Sequence, residues 1–167
     1  MDKREEIAEE LVDFVDNLYA QGRYMRSMED KQQYYGSDIL LYPNEVYTLK
    51  AIARQEGINQ KELSRQMFRT KGATSLVVQK LRQKGLVLQR EDEADSRFVR
   101  LYPTEKGWEV FRNHLEYDRQ YLRRLSEQLG ISPEDLATTN RVLRTMQQDM
   151  NRRYGSPDHG KAGSGQE

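Results

Sequence analysis

Between Arg69 and Arg90 the chain carries side chains suited to reading a nucleic acid rather than to making or breaking bonds. Lys71, Gly72, Ser75 and Gln79 recur at helical spacing. On the outward early turns of a helix, short or bidentate-capable polar groups of this kind reach base edges. Arg69, Thr70 and Arg90 flank that set and suit phosphates, which fix position without specifying sequence. Leu76 lies near the same face and is expected to be a helix-edge core residue, with contact to a thymine methyl as its other role. Catalytic chemistry has little to work with. The chain has no cysteine, which excludes disulfides and a thiol-based sensor. His114 and His159, the two histidines, are far apart in sequence and fit a helix-surface position and a tail position rather than a zinc site. With no phosphate-cradling glycine loop, no metal-ligand cluster and no close serine–histidine pairing, the expectation is a protein that is not an enzyme and needs no cofactor.

The local charge agrees with this reading, although the chain as a whole is neutral over its 167 residues. From Lys61 to Arg90 there are eight cations against Glu62 alone, a net charge of +7. From Met1 to Asp30 nine acids oppose four cations, a net charge of −5. A segregated cationic patch attracts a phosphate backbone, and a merely solvated face accounts for the same charge equally well.

The elements that must hold these side chains can be placed from capping and periodicity. Asn59 with Glu62 forms a capping box for a short helix that stops near Phe68, its Leu63 and Met67 facing a core. Thr70 caps a second helix, Lys71 to Lys84, with Ala73, Thr74, Val77, Val78 and Leu81 inward. Two helices this close in sequence predict a helix-turn-helix. Gly85 ends the second, and the apolar-rich runs Leu86 to Arg90 and Arg97 to Tyr102, separated by a polar tip, predict a hairpin wing.

In this stretch the chain resembles the MarR family of bacterial winged-helix transcriptional regulators. Asp95-Ser96-Arg97 followed by Leu101, Thr104 and Gly107 is similar to the family's wing pattern, with Pro103 where a second leucine is usual. Leu63 to Met67, Thr70 to Ser75, Leu81 and Lys84 to Val87 align upstream without a gap, and the resemblance is specific over Leu41 to Gly107. It implies that the second helix enters the major groove. It also implies that Arg97 enters the flanking minor groove and that Asp95 orients it. Two departures stand out: Phe68 occupies a turn position where glycine is frequent, and Tyr42 replaces the usual Ser or Thr cap of the preceding helix.

Outside that core, Ile7, Leu11, Phe14 and Leu18 predict an amphipathic helix from Arg4 to about Tyr24, whose N-terminal acids suit the helix dipole. A polar connection from Ser27 to Asp38 leads to a helix from Asn44 to about Gln55, which Gly57 ends, and Ile58 is expected to add a short third strand. Thr104 caps a long helix with a heptad seam at Trp108, Phe111, Leu115, Asp118, Leu122, Leu125 and Leu129. Asp118 in that seam needs a partner, and a structural salt bridge is expected. Ser132-Pro133-Glu134-Asp135 starts a final helix. The composition from Gly155 onward predicts a disordered tail, 155–167.

The expected fold is therefore mainly α with a small β-hairpin wing: one domain over 1–154, its winged core at about 41–107, flanked by dimerisation helices at about 4–24 and 104–154. A module of this size cannot cover every apolar stripe, and the resemblance implies a two-fold dimer built from the first and last helices. No run of about twenty apolar residues and no signal-peptide pattern is present, so no membrane partner and a cytoplasmic location are expected. The function expected is a homodimeric regulator that binds a pseudo-palindromic operator in double-stranded DNA, acting as a repressor released by a small ligand. A winged-helix protein–protein interaction module without DNA binding is the alternative. Tyr19, Tyr24, Tyr34, Tyr35, Tyr42 and Tyr47 lie in the part of the chain where the resemblance implies a site for a small aromatic ligand; ordinary packing accounts for the same residues.

Overall fold

The computed structural model describes residues 3–92 and 99–154. Its elements in chain order are α1 (Lys3–Ser27), α2 (Pro43–Arg54), β1 (Ile58–Asn59), α3 (Gln60–Gln66), α4 (Lys71–Gln83), β2 (Val87–Glu91), β3 (Val99–Pro103), α5 (Glu105–Leu129) and α6 (Pro133–Tyr154). The three strands form one antiparallel sheet in the order β1-β3-β2. β3 is central, pairing Ile58 with Leu101 on one side and Gln89 with Leu101 on the other. The mainly helical fold with a small wing is as expected, and Ile58 does contribute a short third strand.

The core belongs entirely to the stretch from Leu41 to Val110. Leu41, Leu49, Ile52, Leu63, Leu81 and Leu86 are completely buried, and Ile58 and Leu101 bring the sheet into the same cluster. α5 joins through its first turns. Thr104 Oγ1 accepts the Gly107 N–H at 3.0 Å and donates to the Gly85 carbonyl at 2.6 Å, locking the start of α5 to the end of α4. Gly107 is required here, because a Cβ on it would lie 2.0 Å from the Leu86 carbonyl oxygen.

α1 and α6 bury none of their described side chains. Ile7, Leu11 and Leu18 on α1 are 59%, 51% and 45% exposed, and along the α5 seam exposure rises to Leu122 and Leu129. α1 runs three residues beyond its expected end, to Ser27, whose hydroxyl donates to the Tyr24 carbonyl. α6 begins as expected: Ser132 Oγ accepts the Asp135 N–H, and the Asp135 carboxylate accepts both the hydroxyl and the N–H of Ser132. Those two donors hold the Asp135 carboxyl below its usual range. Asp118 has its salt bridge, with Lys50 Nζ at 3.0 Å. His114 departs from expectation. It is a buried residue of α5, 1% exposed, because it faces α2 and the loop before it rather than solvent.

Candidate nucleic-acid interface

The presented helix is α4, and α3 with its caps sets its pose. Asn59 Oδ1 accepts the Glu62 N–H at 2.9 Å while Glu62 Oε2 accepts the Asn59 N–H at 3.3 Å, so the expected capping box forms. α3 closes with the Arg69 N–H donating to the Ser64 carbonyl across Phe68, which takes a left-handed φ of +52°. That is the conformation for which glycine is favoured at this turn. Thr70 Oγ1 then accepts the Ala73 N–H at 3.2 Å and α4 begins.

α4 buries Thr74, Val77, Val78 and Leu81 and turns Lys71, Gly72, Ser75, Leu76 and Gln79 to solvent. The four sequence-selected residues therefore share one exposed face. Ala73, expected inward, is exposed as well, because the buried stripe centres on Thr74 and Val78. Leu76 is 61% exposed rather than part of the core edge, so an apolar group stands among the polar ones.

The other end of α4 is tied down by contacts that sequence spacing did not indicate. Lys84 Nζ donates to Glu45 Oε2 at 2.6 Å and to the Leu40 carbonyl at 2.9 Å. Glu45 is fully buried, and the same Oε2 accepts the Tyr42 N–H at 2.9 Å. Tyr42 thus caps α2 without a side-chain acceptor of its own, Glu45 supplying half of a capping box. A glutamate three residues after a helix start was the available hint; its pairing with Lys84, 39 residues on, was not.

Beside α4 stands the wing. Arg90 is exposed at the outer end of β2, its guanidinium 5.4 Å from the Tyr102 ring centroid. Arg100 on β3 pairs with Asp92 and donates to the Gly57 carbonyl at 3.2 Å, bracing the hairpin against the turn before β1. The hydrogen bond to Asp92 raises the Arg100 pKa further above its ordinary value. Asp95 and Arg97, the wing-tip pair implied by resemblance, lie outside the described residues, as does the tail 155–167. An open groove of ≈ 550 Å³ runs between α4 and β2, lined by Gln79, Arg82, Gln83, Val87, Leu88 and Gln89.

The cations of this stretch divide into two groups. Lys61, Arg65, Lys71 and Arg82 are exposed, whereas Lys84 is committed to Glu45 and Lys80 lies 5.4 Å over the Tyr42 ring. Arg69, expected to meet a phosphate, is one-quarter exposed and sits 3.8 Å from Glu29, beyond the end of α1. So long an ion pair is weak, and a phosphate can displace it. Of the six tyrosines, only Tyr35 and Tyr47 come together, around His114, with Tyr47 itself half exposed; Tyr19, Tyr24 and Tyr34 are exposed, and Tyr42 packs beneath Lys80. Among the described residues no group of His, Asp or Glu is placed to hold a metal ion, and no helix is long and apolar enough to cross a membrane.

Residues 41–97 match the sequence model of the MarR family. No curated protein sequence matches the chain. Among solved structures, the fold is similar to Streptococcus pneumoniae FabT in complex with DNA, at 21% identity and TM-score 0.57, covering 90% of this chain and 99% of that one. Streptomyces coelicolor PcaV in complex with its natural ligand is similar at 16% identity and TM-score 0.59, covering 81% and 89%. So is Bordetella bronchiseptica BpsR, whose DNA binding is regulated by 6-hydroxynicotinic acid, at 15% identity and TM-score 0.61, covering 83% and 98%. The sequence pattern of the MarR family thus runs from Leu41 into the wing, and the chain shares the winged helix-turn-helix fold of these solved structures over at least 81% of its length.

Proposed function

We propose that the chain is a homodimeric transcriptional regulator that binds double-stranded DNA at a pseudo-palindromic operator. The observation that carries this reading is the exposed face of α4, where Lys71, Gly72, Ser75, Leu76 and Gln79 stand clear of a closed core, beside the groove that leads to the wing. Gln79 and Ser75 are assigned to base edges, Leu76 to a thymine methyl, and Arg69, Thr70 and Arg90 to phosphates. Gly72 leaves the first turn of α4 open: a Cβ there would meet nothing within 4 Å in the protein. Its value is to let a phosphate approach the free N–H groups of that turn. Arg97 is assigned to the minor groove and Asp95 to orienting it.

Dimerisation supplies the cover that α1, α6 and the far half of α5 lack among the described residues of one chain, and a two-fold axis turns one α4 into two. The winged core and its flanking helices over 1–154 then act as one unit. The likeness to a DNA complex supports DNA as the partner, and the ligand-associated relatives support release of a repressor by a small aromatic acid. Such a ligand acts by favouring a dimer whose α4 helices are spaced wrongly for the groove.

The test is selection of duplexes from a random pool, followed by anisotropy titrations over a range of salt. The recovered site should be a pseudo-palindrome with half-sites about one helical turn, roughly 10 bp, apart. Gln79→Ala should relax preference at particular bases by about 1–3 kcal/mol. Arg97→Ala should weaken binding broadly and flatten the salt dependence. Gly72→Ala should weaken binding while leaving the melting temperature unchanged or raised. Failure to enrich any sequence, with salt-independent binding, would leave the protein-interaction alternative in its place.

A further inference from the structure

His114 is the last buried side chain of α5. Gly107 and Val110 before it bury against the winged-helix lobe, whereas Tyr117, Tyr121 and Leu122 beyond it are exposed. The residue thus marks the point where α5 leaves the lobe for the uncovered end of the molecule. Neither Nδ1 nor Nε2 of its imidazole has a hydrogen-bond partner.

Three elements close around that ring. The loop before α2 supplies Tyr35, whose ring meets the imidazole edge-on with centroids 5.4 Å apart. The loop is pressed onto α5, since a Cβ on the adjacent Gly36 would lie 2.9 Å from the Asn113 carbonyl oxygen. α2 supplies Tyr47, at a centroid distance of 6.0 Å, and Lys50. α5 itself supplies Tyr117, edge-on to Tyr35, and Asp118, whose Oδ2 is 3.5 Å from His114 Nε2 and 3.0 Å from Lys50 Nζ.

We propose that His114 is a proton-operated pin in the α2–α5 seam, and that protonation releases α5 from the winged-helix lobe and thereby weakens DNA binding. The release step stands on these contacts, and its effect on DNA rests on the regulator reading above. A neutral imidazole fits the aromatic enclosure. A charged one needs acceptors at both nitrogens, and the carboxylate within reach is already engaged by Lys50, so two cations would share one partly exposed anion while the imidazole itself stays out of water.

Burial, assisted by Lys50 and opposed by Asp118, holds the His114 pKa below its ordinary value. The sign follows. The packed ring binds a proton more weakly than an exposed one, so the packed seam has its full advantage above about pH 6.5. That advantage is lost as pH falls through the packed-state value. A conformation with α5 lifted takes up the proton first, and acidification shifts the population toward it. In a two-fold dimer the lift changes the angle at which each α4 is presented.

The experiment uses the full-length protein and a duplex it selects at about pH 7.5. Lowering the pH to about 5.5 should weaken binding roughly fivefold or more, and His114→Gln should flatten that dependence. In parallel, the His114 ring resonance is titrated by NMR, with His159 assigned by His159→Gln. Lys50→Met should move the His114 midpoint to higher pH, and Asp118→Asn should move it lower. An unchanged pH dependence of affinity in His114→Gln, or midpoints unmoved by both neighbouring substitutions, would overturn the proposal. Should no duplex bind at any pH, the DNA-binding reading fails by itself. The NMR midpoints and the pH dependence of the melting temperature still decide whether His114 is the pin.

Discussion

α4 and α1 are both amphipathic helices, yet one is closed and the other open. On α4, Val77, Val78 and Leu81 are 6%, 3% and 0% exposed; on α1 the apolar stripe is about half exposed. The difference is one of neighbours. α4 sits between α2, α3 and the sheet, each presenting an apolar face, and the whole cluster from Leu41 to Val110 excludes water without help from the ends of the chain. α1, α6 and the far half of α5 carry comparable patterns that none of the described elements buries. Helical periodicity identifies a face that must be buried; it does not say against which chain.

Four substitutions test that contrast. Leu81→Ala should destabilise the lobe by about 2–5 kcal/mol, equally at low and high protein concentration, as read from urea unfolding. Leu122→Asp should behave in the opposite manner. In sedimentation equilibrium it should raise the dimer dissociation constant by roughly thirtyfold or more, while the lobe's own near-ultraviolet signature survives. A dimer untouched by Leu122→Asp would mean that this part of α5 lies away from the two-fold interface.

A smaller effect is expected within the lobe at its buried charge. Lys84→Met leaves the fully buried Glu45 carboxylate with the Tyr42 N–H as its described donor, at a cost of about 1–3 kcal/mol. Removing Glu45 as well should cost less than the sum of the single losses, because each partner matters chiefly to the other. Additive losses would show that Lys84 acts mainly through the Leu40 carbonyl.

The smallest effect concerns the turn of the helix-turn-helix. Phe68→Gly relieves a left-handed side chain worth about 1–2 kcal/mol against glycine's added chain entropy of about 0.5–1 kcal/mol, so the gain should be no more than about 1.5 kcal/mol. Phe68 also lines a groove with Gln147 and Asn151 of α6. Lower stability in Phe68→Gly would show that this contact outweighs the strain, and would make the lobe and the last helix less independent than their burial suggests.

The winged-helix core was legible in the sequence because its signals are local. The Asn59–Glu62 box, the Thr70 cap, the apolar periodicity of α4 and the turns at Gly57 and Gly85 each act within a few residues, and each is present in the fold. The outward set Lys71, Gly72, Ser75 and Gln79 followed from the same periodicity. Long-range pairing was not legible. Glu45 with Lys84, Arg100 with the Gly57 carbonyl, and His114 against Tyr35 and Tyr47 join residues tens of positions apart. Charge and aromatic side chains carry no address for their partners. His114 shows the limit most plainly: a polar residue in an acidic and basic helix looks solvent-facing until α2 and the Tyr35 loop are packed against it. Local backbone preferences and helical period were set by the sequence, residue by residue. Which polar groups were taken out of water, and with whom, was decided only when α2, the sheet and α5 closed on one another.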